Sequence, residues 1–353
     1  MNQQLAFMPA LLACACAAQA QSSVTVFGAL DAALTHSKGS VASGTTMSNN
    51  HWGASKLGFR GIEDLGGGLK AGFWIEGAIF PDSGAGGATN TNNQPGGQGS
   101  VGGLTFGRRS TVSLFGPWGE LRAGRDLQPH YLNIGLFDPF AHIGIGQAQL
   151  PTSTVAGVTT TWIRASNAVH YRTPGTLGGA FVHAAYFLGE KPKDGAATAR
   201  DGNGYSLRAG YEAGAVRFGV GGMQTDFATG RVTNASIAGS YDFGAVEVMA
   251  VAMRDKVAGA PPDGRGRQLG LRVPRGAHEF RAQASRYTST APSAPRTTRF
   301  AVGYGYDLSK RTTLYGIVAR IENAGGAART LEGALAGPDG SATGVAIGIE
   351  HTF

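Results

Sequence analysis

The side chains best suited to chemistry in this chain are its bases, and they recur at fixed places in a repeating pattern. In SKLGFRG, Lys56 and Arg60 alternate with Leu57 and Phe59; in EFRAQASR, Glu279 and Arg281 alternate with Phe280 and Ala282; in RFAVGYGY, Arg299 precedes Phe300 on the opposite face. A period of two places charge on one side of an extended segment and apolar groups on the other. Guanidinium and ammonium groups fixed along one wet face attract and orient anions, and do no covalent chemistry alone. Burying them unpaired would cost several kcal/mol per ion, so that face must meet water.

Other chemistry finds no matching set. The eight histidines show no paired ligand spacing, and His51, His142 and His170 read as polar lumen or loop residues. Gly144-Ile145-Gly146 and Gly66-Gly67-Gly68 lack the strand-to-helix context and the Lys-Ser/Thr of a phosphate loop. There is no GxSxG elbow and no Ser with a convincing His and acid. The chain is therefore expected to be no enzyme and to hold no cofactor or metal.

The elements that must position these bases are strands. SSVTVFGALDAAL, LKAGFWIEGAIF and GVAIGIEHTF all alternate, and about sixteen such stretches follow one another. A polar loop is expected at about 37–50 and a Gly/Asn/Thr-rich loop with no capacity to form a core at 81–99. Long and short connections alternate strictly in this reading, which places the long ones at one rim of an up-and-down barrel. The connection at 126–163 stands apart in its length. It carries Phe137, Phe140, Ile143 and Ile145, too apolar for a solvated tail, and is expected to fold into the hollow and pack on the inner wall.

Composition narrows the class. Of 353 residues 57 are Gly, more than double the usual ~7%, while 15 Pro argue against wholesale disorder. Residues 1–20 read as an export signal, with an apolar run from Leu5 to Ala18 and a small-x-small site at Ala18-Gln19-Ala20. Cys14 and Cys16 both lie inside it, so a mature chain of 21–353 has no cysteine. The rival reading is a lipoprotein box at Leu11-Leu12-Ala13-Cys14. The net charge of +7 falls wholly after residue 20, and without a basic run or an aromatic–basic platform it does not indicate nucleic acid. Tyr and Phe near strand ends (Phe27, Phe115, Tyr171, Tyr304 and Tyr306) suit the aromatic belts of a membrane barrel.

Several stretches resemble the Gram-negative outer-membrane porins, in particular the trimeric general porins of the β-proteobacterial type. They are SSVTVFGALDAAL, SKLGFRGIEDLGGGLKAGFWIE, FGRRSTVSLFGPWGELRAGR, RASNAVHYRTP, YDLSKRTTLYG and the terminal IGIEHTF. They span essentially the whole mature chain in order. The resemblance implies an all-β fold: a sixteen-stranded antiparallel transmembrane β-barrel, single-domain over 21–353, whose third long loop at about 126–163 folds inward. It implies passive diffusion of small hydrophilic solutes and inorganic anions, outer-membrane lipid as surroundings, and a homotrimer. It also implies insertion by the outer-membrane assembly machinery through the last strand, with Phe353 as the signal.

By the same resemblance the pore constriction combines Lys56, Arg125 and Arg164 with an acid at the loop tip, Asp138 in Asp138-Pro139-Phe140. Arg60, Arg122 and Arg172 line the wall beyond. Lys56 stands where the family usually has Arg and cannot make the same planar stack. With few acids in the loop, a modest anion preference is expected. A barrel enzyme, a substrate-specific outer-membrane channel and a soluble exported β-sandwich are the alternatives.

Overall fold

A backbone in hydrocarbon has no water to bond, so a sheet that crosses a membrane must close on itself. This chain does so. The computed structural model describes residues 23–94, 97, 99, 103–150, 154–155, 158–159, 163–259 and 262–353. The expected export signal and parts of the third long loop lie outside the described residues.

The first four strands are β1 (Ser23–Gly39), β2 (Ser43–Asn49), β3 (Lys56–Gly66) and β4 (Leu69–Ala78). Next come β5 (Arg109–Gly116), β6 (Gly119–Leu127) and the helix α1 (Pro129–Gly135). A small hairpin, β7 (Thr154–Val155) and β8 (Val158–Thr159), precedes β9 (Arg164–Arg172) and β10 (Ala180–Phe187). β11 (Gly204–Ala213), β12 (Val216–Thr225), β13 (Val232–Asp242) and β14 (Glu247–Val257) follow. The circuit ends with β15 (Gly264–Arg275), β16 (His278–Ser289), β17 (Arg296–Ser309), β18 (Thr312–Ala324) and β19 (Ser341–Thr352).

Seventeen of these segments form one antiparallel sheet. Both β2 and β3 pair with β1, over its second and first halves respectively, so together they fill one position and the barrel has sixteen. β1 also pairs with β19, from Ala29 opposite Thr352 to Gly39 opposite Ala342, which closes the ring. At the seam the Gly28 and Phe353 amides each donate to the other's carbonyl at 3.0 Å. Gly28 also lets the terminal ring lie flat. A Cβ there would fall 2.3 Å from Phe353 Cζ and 2.7 Å from the Lys56 carbonyl oxygen.

Side chains sort by face. Val24, Leu34, Leu269, Val302 and Ile347 are all more than half exposed on the outside. A belt of that extent is far beyond the apolar patch a water-soluble monomer shows; hydrocarbon accommodates it. Among the described residues no helix is long and apolar enough to cross a membrane. Tyr171, Tyr304 and Tyr306 face outward near the short-turn rim. Phe27 and Phe115 do not join them. Phe27 points inward and meets Trp74 edge-on at 4.9 Å, and Phe115 lines an internal recess beside that Trp74.

Three loop expectations are corrected. The region 37–50 is strand on both sides of a turn at 40–42, because its polar residues complete the hydrogen-bond ladder beyond the hydrocarbon. The connections at 258–263 and 290–295 are shorter than the expected 256–264 and 289–296, yet each remains longer than the turns on either side, so long and short still alternate. In the loop at 81–99, Asn93 is fully buried. Its amide accepts from Ser166 N at 2.8 Å and donates to Ser166 O at 2.9 Å and Leu188 O at 2.8 Å. The β6–β9 register shifts beside that point, between Gly124 and Asp126, and the side-chain amide supplies the bonds that the bulge removes.

Gly28→Val would overpack the seam against backbone as well as ring, at a cost of about 1–3 kcal/mol. The expected outcome is a lower midpoint for the heat-induced shift from folded to unfolded mobility on a denaturing gel. A midpoint unchanged from the native protein would contradict this account of closure.

Candidate pore constriction

The loop that leaves β6 is built to lie inside the barrel. Pro129 starts α1, where a missing N–H costs nothing. Its first turns are tied to the far wall. The His130 amide donates to Ser206 Oγ at 2.9 Å, and Asn133 Nδ2 donates to Gly219 O at 3.1 Å and Ser236 Oγ at 3.0 Å. Further on, the Phe137 carbonyl accepts from Gln268 Nε2 at 2.9 Å. The Ile145 and Gln147 carbonyls accept from Arg299 at 3.4 and 3.1 Å, and the Gln149 amide donates to Ser285 Oγ at 2.7 Å. The chain thus runs from β6 past β11–β13 to β15–β17. Glycines on the wall make room: a Cβ at Gly270 would sit 2.5 Å from Pro139, and one at Gly303 2.9 Å from Phe140.

Apolar contact fixes the loop more than these bonds do. Ile134 and Phe137 pack with Met223, Ala238, Val251 and Met253, while Phe140 and Ile145 join Trp52, Ala301, Tyr315 and Ile317. Under the loop, then, the inner wall is largely apolar, with Arg208, Arg281 and Arg299 set against its aromatic rings and carbonyls. Each fully buried side chain of this size contributes about 1.5–3 kcal/mol, enough to hold a loop against its ordering entropy. The Trp52 indole stacks on Tyr315 at 5.6 Å and carries the Arg281 guanidinium at 3.6 Å. His130 is buried in the helix, and burial pulls its pKa down to about 4, so the imidazole is neutral.

Asp138 lies at the root of the tip with its carboxylate turned into the loop. One oxygen accepts from the Phe140 amide at 2.9 Å and the other from the Ala148 amide at 2.7 Å, with His142 Nδ1 at 3.6 Å. This is an acid that closes a loop on itself. His51 adds a second clasp. Its Nδ1 accepts the Ile145 amide at 3.2 Å, which places the ring proton on Nε2, beside Ser48 Oγ at 2.8 Å.

The bases gather on the near wall. Arg125 donates from Nε to Gly107 O at 2.6 Å and from Nη1 to Asn90 O at 3.1 Å and Ser166 Oγ at 3.0 Å. Arg164 Nε donates to the carbonyl of Arg108 at 2.9 Å. Arg108 itself pairs with Glu76 at 2.6 Å. Arg164 lies in the fields of both Arg108 and Arg125, with Tyr131 from α1 beside them. Lys56, half-buried at the start of β3, acts on Glu76 and Glu350. Among the described residues neither Arg125 nor Arg164 has a carboxylate partner.

The structure therefore brings together Arg125 and Arg164, sets Lys56 across Glu76, and holds Asp138 within the loop. Arg108 belongs to the group, although the sequence reading does not single it out. Alternation could not have found it: Arg108 stands just before β5, and the inward place at that strand start belongs to Arg109.

Arg60, Arg122 and Arg172 line a recess of about 440 Å³ nearer the short-turn rim, with Trp74, Arg109 and Glu120. Arg109 covers the Trp74 ring at 4.4 Å, and Arg60 covers the same ring at 5.0 Å. Arg122 is neutralised by Glu120 at 2.8 Å and by Asp126. Among the described residues no group of three His, Cys, Asp or Glu could hold a metal.

A Gram-negative porin family profile matches residues 6–326. The chain belongs to that family. It is 35% identical over 363 residues to the outer membrane porin protein 32 of Delftia acidovorans, covering 98% of each chain. It also resembles the anion-selective porin from Comamonas acidovorans at 31% identity and a TM-score of 0.83, over 94% of this chain and 100% of that one. The trimer form of OmpT of Vibrio cholerae shares the fold at 13% identity and a TM-score of 0.63, over 94% and 99% of the two chains. The protein is an outer-membrane porin, a passive channel, and its relatives are porins rather than enzymes.

Asp138→Ala removes two charge-assisted acceptors and frees two buried amides, about 2–4 kcal/mol of local stability. Single-channel conductance should rise and become noisier as the loop loosens, with reversal potential little changed. A quiet channel of native conductance would show that the carboxylate does not hold the loop.

Proposed function

We propose that this porin passes small hydrophilic solutes and inorganic ions by diffusion and favours anions, the selectivity for which its Comamonas relative is named. The observation that carries the reading is a charge imbalance at the narrowing. Arg108, Arg125, Arg164 and Lys56 meet two acids, Glu76 and, beside Lys56, Glu350, while the loop's own acid is spent on backbone amides. One unpaired guanidinium ~5 Å from a passing ion lowers an anion and raises a cation by about 0.8 kcal/mol each in water-like dielectric, roughly fifteenfold in anion over cation before screening. Salt screens this over ~10 Å at 0.1 M. In this reading Asp138 shapes the aperture and does not balance its field. The wall residues Arg60 and Arg172 extend the basic path.

Residues 1–20 as an export signal, Phe353 as the mark read by the assembly machinery, and a homotrimer in lipid complete the proposal. The seam at Gly28 and Phe353 supports a role for the last residue in closure. The trimer form of the Vibrio protein supports the assembly.

The test is the reversal potential across a planar bilayer in a KCl gradient. Arg108→Gln with Arg164→Gln should lower the chloride preference severalfold with conductance retained, while Arg→Lys at both should keep most of it. Equal potentials for the native protein and the glutamine variant would remove these residues from selectivity.

A further inference from the structure

On the outside of the barrel, near the long-loop rim, five adjacent strands present bases where a lipid-facing wall would be expected to turn plainly polar. Arg254 stands directly opposite Arg265 across β14 and β15, and Arg267 directly opposite Arg286 across β15 and β16. All four are exposed. Like charges in directly opposed pairs destabilise a sheet, so this arrangement carries a cost. The contrast with the inner face is informative. There Arg272 and Arg281 are also opposed, and Glu279 bridges them at 2.7 and 2.6 Å. Outside, Asp263 reaches Arg254 at 2.5 Å and Glu322 reaches Arg320 at 2.8 Å. Among the described residues Arg265, Arg267 and Arg286 have no acid.

Directly below these bases lies an apolar groove of about 400 Å³. Its floor is Ala282 and Ala284 on β16, between ridges of Leu269 on β15 and Phe300 and Val302 on β17, and it ends at Arg320. Arg286 is two residues beyond Ala284, and Arg267 is two residues from Leu269 on the same face, about 7 Å along the strands. A molecule that filled both would carry an acyl chain and, one short step above it, an anionic head.

We propose that this face binds a phosphorylated lipid of the outer leaflet, its phosphate held by Arg265, Arg267 and Arg286 and one acyl chain seated over Ala282 and Ala284. Guanidinium forks match phosphate oxygens in pairs, and one phosphate between Arg267 and Arg286 turns a repulsive contact into a bridge. The inference rests on the membrane placement of the barrel and not on the selectivity of its lumen.

Native mass spectrometry of the detergent-extracted protein tests it with three probes: dilauroyl phosphatidic acid, dilauroylglycerol and inorganic phosphate. Retention of the phosphatidic acid alone is expected. Arg265→Gln with Arg267→Gln and Arg286→Gln should weaken it by about a hundredfold with channel conductance unchanged. Ala284→Trp, which fills the groove and leaves every base in place, should also abolish retention. Equal retention of dilauroylglycerol would mean a greasy groove only and overturn the proposal, as would phosphate binding that an acyl chain does not strengthen. A glutamine variant that keeps its lipid would overturn it too, and one that loses oligomeric mobility instead would assign the face to a subunit contact.

Discussion

Every feature of this protein follows from the need of a membrane-embedded backbone to find all its hydrogen-bond partners within the protein. That need closes the sheet at Gly28 and Phe353, where the last residue of the chain is bonded on both its amide and its carbonyl. It also explains Asn93, a loop residue that repairs the ladder where β6 and β9 slip in register. Closure forces side chains onto two faces only. One meets hydrocarbon; the other meets water, or whatever the chain folds into the hollow.

What folds into it here is a loop with a small dry core of its own. Phe137, Phe140, Ile145 and Leu150 are buried against Met223, Met253, Trp52 and Tyr315, and Asp138 and His51 tie its backbone. The acid that could have faced the lumen is committed to that task. The bases opposite are committed differently: Arg125 and Arg164 donate to backbone carbonyls, which orients a guanidinium without cancelling its charge. An aperture whose acids are used for folding and whose bases are left charged is electropositive by construction.

Much of this is legible in the sequence because period two is a strong signal where apolar residues mark one face. EFRAQASR and RFAVGYGY declare both their faces. Residues 43–49 do not, since SGTTMSN has no apolar side to read, and so β2 looks like a loop in sequence. The inward run Met249, Val251 and Met253 on β14 is apolar where most inward runs carry polar residues, and Val251 and Met253 pack with the loop's Ile134 and Phe137. Lys56, Arg125 and Arg164 emerge only from resemblance. Arg108 precedes its strand and so has no face to be read from. The orientation of Asp138 is not legible at all, because it depends on where the amide of Ala148, ten residues further on, comes to rest.

The central claim is that fixed, solvated positive charge at the narrowing sorts ions by field rather than by fit. Field-based sorting must weaken as salt shortens the Debye length from ~10 Å at 0.1 M to ~3 Å at 1 M. The direct measurement is the chloride-to-potassium permeability ratio of the native channel, taken from reversal potentials at a constant KCl gradient while mean concentration is raised across that range. A ratio above one that declines toward one is the predicted result. A ratio that favours potassium, or one indifferent to salt, would contradict it.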